Sequence, residues 1–273
     1  METKIYPRIK NAIVLCLVLM ATQIVAGLVI GVIFRLLQIN TESVVYGISI
    51  IIVNLLSFGL VILIGFKKAK QKFNEIFKFK KVALDYWLAI TVFMMGFIIL
   101  TSEMDNFINY LLPMPLFLQN AFDLVMVRQT FIISLILVGI IPAITEEMFF
   151  RGLILNGFTG IYSARKAIFI SALLFGIIHL NPWQFFGAFI IGAFMAYILI
   201  KTKSILLCIY MHLFNNAANV IVLKYREAFP IKGFNTSYSD KMFQPVWFDV
   251  AGIVITVLGV LLLIKANKKH TIE

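Results

Sequence analysis

Three observations predict an all-α fold, a polytopic transmembrane helix bundle of about eight spans. The chain of 273 residues is 61% hydrophobic and 14% charged, with a mean hydropathy of +0.97, which places it far outside the range of soluble globular domains. Its apolar runs are mostly of roughly 18 to 25 residues, enough for a helix to cross a hydrocarbon core about 30 Å thick. Its lysines lie in short loops between those runs and not on one polar face, so the net charge of +11 reflects membrane topology and not a nucleic-acid surface.

The spans fall at about 12 to 36, 44 to 66, 84 to 101, 129 to 157, 166 to 181, 183 to 200, 204 to 223 and 247 to 264. The first follows Lys4, Arg8 and Lys10 but is too long for the apolar stretch of a signal peptide, so it is read as a retained helix. Its single charge, Arg35, lies near the far end and can snorkel to the interface. The fifth and sixth spans are separated by Asn181 and Pro182. A tight turn is expected there, because proline disfavours helix in the residue before it. Residues 1–273 read as one integral membrane domain, with no soluble domain, tail or repeat.

Basic residues set the expected orientation. Lys4 to Lys10, Lys67 to Lys81, Arg165 with Lys166, Lys201 with Lys203, and Lys265 to Lys269 all fall on one side of an eight-span chain. By the positive-inside rule that side is the cytoplasm, and both termini with it. The cluster from Lys67 to Lys81 also suits contact with anionic lipid. Of the opposite loops, residues 102–128 are acidic, through Glu103, Asp105 and Asp123 against Arg128, whereas residues 224–246 are mildly basic. Leu111 to Phe117, with Pro113 and Pro115, reads as an interfacial or re-entrant segment and not a ninth span.

Few ionisable groups lie deep in the spans: Glu146, Glu147 and Arg151 in the fourth, His179 in the fifth and His212 in the seventh, which also carries Asn215, Asn216 and Asn219. Charge in hydrocarbon is costly, and such residues usually face a bundle interior and mark a functional path. Glu146 and Glu147 point about 100° apart on a helix, so they serve different ends. Glu147 and Arg151, spaced i and i+4, form a structural ion pair, which leaves Glu146 to face a pocket. His212 and Asn216 share a face by the same spacing. Phe175 and His179 repeat it, so that the ring can shield or orient the imidazole. Counted from the cytoplasmic ends at ~1.5 Å per residue, Glu146, His179, His212 and Asn216 lie roughly 12 to 20 Å deep, which favours one shared site.

A carboxylate and an imidazole converging on one water can act as a general base, and a second imidazole with an amide can stabilise an oxyanion. This is a peptide-hydrolysis chemistry. The same residue types also suit a proton-coupled transporter, and Cys208 and His212, again i and i+4, leave open a thiol nucleophile. Cys16 and Cys208 otherwise read as small apolar packing residues, with no disulfide framework.

The three motifs together resemble a known family. Glu146-Glu147-Met-Phe-Phe-Arg151, Phe175-Gly-Ile-Ile-His179 and His212-Leu-Phe-Asn-Asn216 are similar to the Glu-Glu-x-x-x-Arg, Phe-x-x-x-His and His-x-x-x-Asn motifs of the CAAX protease and bacteriocin-processing intramembrane endopeptidases, relatives of the type II CAAX prenyl endopeptidases. The resemblance covers residues 129–223, the candidate catalytic core. It implies a helical bundle whose cavity opens toward membrane and cytoplasm, and cleavage of membrane-associated peptides or proteins. It further implies Glu146 and His179 as the groups that activate water, and His212 and Asn216 as oxyanion donors. Glu147, Arg151 and Phe175 would then be supports. No cofactor is expected, with zinc on Glu146, His179 and His212 as the alternative. The expected partners are a membrane-associated peptide and the lipid bilayer, with no nucleic acid. The expected location is the plasma membrane of a bacterium, with a role in bacteriocin processing or immunity. The competing reading is a non-catalytic immunity or scaffold protein that keeps the fold.

Overall fold

The structure, a computed structural model, describes residues 5–234 and 242–271; Lys4 and part of the 224–246 loop lie outside them. The chain is all helical in its named elements. In order these are α1 (Ile9–Leu36), α2 (Val44–Ala69), the short α3 (Phe73–Ile76), α4 (Leu84–Leu111), α5 (Leu116–Asp123), α6 (Phe131–Thr159), α7 (Ala164–Ile177), α8 (Pro182–Thr202), α9 (Ile205–Lys224) and α10 (Val246–Thr271). Seven of the described helices are long and apolar enough to cross a membrane.

The fifth expected span is the exception. The structure gives α7 14 residues, about 21 Å at 1.5 Å per residue, which is short of the ~30 Å core. It ends at Ile177, and the chain turns through Ile178 to Leu180, with Leu180 at φ +57°, the left-handed region that a branched side chain enters only at a cost. The side chain of Asn181 then accepts from the backbone N–H of Gln184 at 2.8 Å, and Pro182 opens α8. The expected tight turn is therefore an N-cap of asparagine followed by proline, a pairing that suits a helix start.

A second departure lies in α4. Its helix runs ten residues past the expected end at Thr101, to Leu111, so Ser102, Glu103 and Asp105 are helical and not loop residues. The segment from Leu111 to Phe117 leads into α5, whose eight residues are too few to cross and which exposes Leu116 and Phe117.

Contacts sort the helix ends into two faces. At one face Lys78 Nζ donates to Asn156 Oδ1 at 2.6 Å, Asn156 donates to Gln71 Oε1 at 2.8 Å, and the N–H of Ile205 donates to the carbonyl of Lys78 at 2.9 Å. His270 meets Asp85 there at 2.9 Å. Burial and the nearby Lys203 hold the Lys78 ammonium below the ordinary lysine range. The lysine-rich segment 71–81 is thus a docked strap and not a free loop: Ile76 and Phe77 are each 1% exposed, and Gly152 leaves the room that Phe77 fills. At the other face Trp183 Nε1 donates to the carbonyl of Leu112 at 2.7 Å, Lys224 Nζ donates to the carbonyls of Val127 and Gln129, and Arg128 pairs with Glu42.

α4 and α10 pack along a seam of small residues. A Cβ at Gly96 would meet the backbone of Gly252 and Thr256, and one at Gly259 would meet the Phe93 backbone. Such close approach is how membrane helices gain contact when lipid offers no hydrophobic drive for association.

Candidate active site

Polar side chains from α2, α4, α6, the α7–α8 turn, α8 and α9 face one cavity of about 410 Å³. Its lining includes Glu146, His179, His212 and Asn216, so the structure brings all four motif residues onto one space. Asn54, Ser102, Asp105, Asn109, Gln184 and Asn219 add to its polar wall.

Behind the cavity sits a buried charge cluster. Glu147 and Arg151 are both 0% exposed, and Glu147 Oε1 accepts from Arg151 Nη1 at 3.0 Å. The same oxygen accepts from His212 Nδ1 at 2.8 Å. Glu147 therefore both neutralises the arginine and fixes the orientation of a motif imidazole, a link across helices that sequence spacing does not reveal. Phe175 is the hub of the cluster. Its ring lies 4.2 Å from Arg151 Cζ and stands edge-on to both His179 and His212. Gly192 on α8 makes this possible, since a Cβ there would press on both Arg151 and Phe175.

His179 lies just past the end of α7, where its Nδ1 meets the carbonyl of Phe175 at 2.8 Å. A carbonyl only accepts, so Nδ1 carries the proton and Nε2 is the basic nitrogen. The same reasoning on the Glu147 contact puts a proton on Nδ1 of His212 and leaves its Nε2 toward the cavity. Each imidazole is thus oriented through one nitrogen and available through the other.

Asn216 has a backbone reason to be where it is. Pro142 has no N–H to give to the Val138 carbonyl four residues back, and Asn216 Nδ2 donates to that carbonyl at 2.9 Å. Asn215 donates to Asn216 Oδ1 at 3.2 Å, which fixes the amide. One hydrogen of Nδ2 remains unassigned. The helix α6 is wide here, with π turns over Leu135–Ile140 and Met148–Ile154 on either side of the segment that holds the two glutamates. Such π segments recur at functional sites.

Glu146 makes no hydrogen bond among the described residues, and its Oε2 is fully buried. It is the free carboxylate that the helix geometry predicts. Asp105, placed in an acidic loop from the sequence, instead lines the cavity from α4. The missed signal is the spacing of Ser102, Asp105 and Asn109 at i, i+3 and i+7, which puts three polar side chains on one helix face.

Among the described residues no three His, Cys, Asp or Glu side chains are grouped so as to hold a metal ion. Cys208 is buried, its thiol donates to the carbonyl of Met195 at 3.3 Å, and it does not line the cavity, so it is not the partner of His212.

The cavity lies toward the face that carries Leu112, Trp183 and Lys224, away from the docked lysine strap. An opening toward the cytoplasm and a cytoplasmic location of the lysine clusters therefore do not hold together in this molecule.

Residues 128–218 match the family described as Type II CAAX prenyl endopeptidase Rce1-like, a stretch that takes in all three motifs. No curated protein and no solved structure matches the chain.

Proposed function

We propose, from the match of residues 128–218 to the family described as Type II CAAX prenyl endopeptidase Rce1-like, that the chain is an intramembrane endopeptidase that hydrolyses peptide bonds of membrane-associated peptides or proteins. The observation that carries this reading is the unpartnered Glu146 carboxylate on the same cavity as two imidazoles that each offer one ring nitrogen.

In this mechanism Glu146 takes a proton from a water in the cavity and the resulting hydroxide adds to the scissile carbonyl. His179 Nε2 accepts a hydrogen bond from that water and positions it, and Glu146, protonated in the first step, gives that proton to the leaving amine as the C–N bond breaks. Charge on the tetrahedral oxygen is met by the spare Nδ2 hydrogen of Asn216 and by His212, which donates from Nε2 in its protonated form, next to the Glu147 carboxylate. Each such donor is worth about 3 to 4 kcal/mol in known oxyanion holes. No metal is required in this scheme.

The test compares membranes carrying wild type and Glu146→Gln at matched protein levels. Mass spectrometry reads the peptides released from host membrane proteins and from a prenylated test peptide. Loss of a general base predicts a fall in release on the order of 10²- to 10⁴-fold. Thermal stability is expected to be unchanged or higher, because a buried carboxylate without a partner is removed. Equal release from both membranes would favour the non-catalytic reading.

A further inference from the structure

The cavity reaches one face of the bundle only. Asn109, Met114, Phe122, Met126 and Trp183 lie along its outer part, and all belong to the face where Trp183 bonds to Leu112 and Lys224 to Val127. No residue of the lysine-rich strap, nor of the α8–α9 turn at Lys203, lines it. Basic residues in short loops stay cytoplasmic. Since the clusters occupy the opposite face, the cavity faces the extracytoplasmic side.

The second observation is charge. Among the described residues the lining holds two carboxyl groups, Asp105 and Glu146, and neither lysine nor arginine. Asp105 makes no hydrogen bond among the described residues, and two cations of the adjoining helices are already used: Arg151 by Glu147, and Lys224 by two backbone carbonyls. An unpaired carboxylate in a membrane-embedded wall is costly, and an entering cation offsets that cost. A substrate that brings its own terminal carboxylate meets two carboxyl groups and, among the described lining residues, no lysine or arginine.

We infer that the cavity takes a basic peptide segment from the extracytoplasmic side, with Asp105 as the counter-charge for a lysine or arginine side chain. The inference rests on the endopeptidase reading of the same site and adds its substrate class. Asp105 here selects the substrate, while Glu146 and His179 act on it.

Two measurements test it without relying on turnover. A single thiol at Gly187→Cys lines the cavity with room for its Cβ, and the native thiols Cys16 and Cys208 are buried. A membrane-impermeant maleimide on intact cells should label Gly187→Cys and leave Lys268→Cys unlabelled. The reverse pattern overturns the sidedness. Next, the full chain in phosphatidylcholine nanodiscs is titrated with a fluorescent leucine–lysine peptide and its leucine–glutamate counterpart, with empty discs as reference. The wild type should prefer the lysine peptide, and Asp105→Asn should weaken its binding at least tenfold while Asp105→Glu restores it. Equal affinity in wild type and Asp105→Asn overturns the role of Asp105. If wild type binds the lysine peptide but releases no fragments from any membrane, the endopeptidase reading fails and the binding preference stands.

Discussion

At the scale of single residues, Glu147 is the group on which the site's order depends. One oxygen joins Arg151 and His212, and the pair is fully desolvated. Removing one member of a buried pair leaves the other charge uncompensated, at a cost of about 3 to 5 kcal/mol. Glu147→Ala is therefore expected to lower the thermal unfolding midpoint steeply, and to free the ring of His212 as well. The double variant Glu147→Leu with Arg151→Met should recover most of the midpoint but not the activity, read in the same reconstituted protein. The pairing of Glu147 with Arg151 is legible in the sequence because it lies within one helix turn. The contact with His212 is not, because it joins residues 65 apart through packing that no local pattern encodes. Asp105 was hidden for a different reason: a span defined by hydropathy stops where polar residues begin, and the polar face of α4 begins at Ser102.

At the scale of elements, α6 and α9 hold each other through an exchange of backbone and side chain. Pro142 opens a gap in the helical hydrogen bonding of α6, and Asn216 of α9 closes it. Asn216→Ala should cost about 1 to 3 kcal/mol, the penalty for a buried carbonyl left without a donor. Pro142→Ala supplies an N–H four residues on, so the double variant should regain part of that stability, measured by thermal unfolding. A purely catalytic asparagine would show no such rescue. Of the elements themselves, the seven long helices were legible from apolar length, and the start of α8 from Asn181 and Pro182. The π turns of α6 were not, since they depend on how Pro142 and neighbouring helices share the backbone groups.

At the scale of the whole molecule, the two faces differ in charge and in closure. The lysine-rich face is tied shut by the strap from Gln71 to Lys81 through Phe77, Lys78 and Asn156. The opposite face holds the cavity. The sequence allowed the clusters to be assigned to one side but not the cavity to the other, because depth counted along a helix does not say at which end a void opens.

The brevity of α7 has a mechanical consequence. A helix of about 21 Å beside neighbours that cross the full ~30 Å core draws the surrounding lipid inward, since a short apolar stretch is accommodated by local thinning. Headgroups and water then dip toward the turn that carries His179, shortening the path a polar peptide travels through acyl chains. Hydrolysis is accordingly expected to fall several-fold as the host lipid is lengthened from 14-carbon to 22-carbon chains in nanodiscs. Thermal stability should follow the same order, and an activity independent of chain length would show that lipid deformation is not coupled to entry. The protein would then be tuned by the thickness of the membrane it inhabits as much as by the chemistry of its pocket.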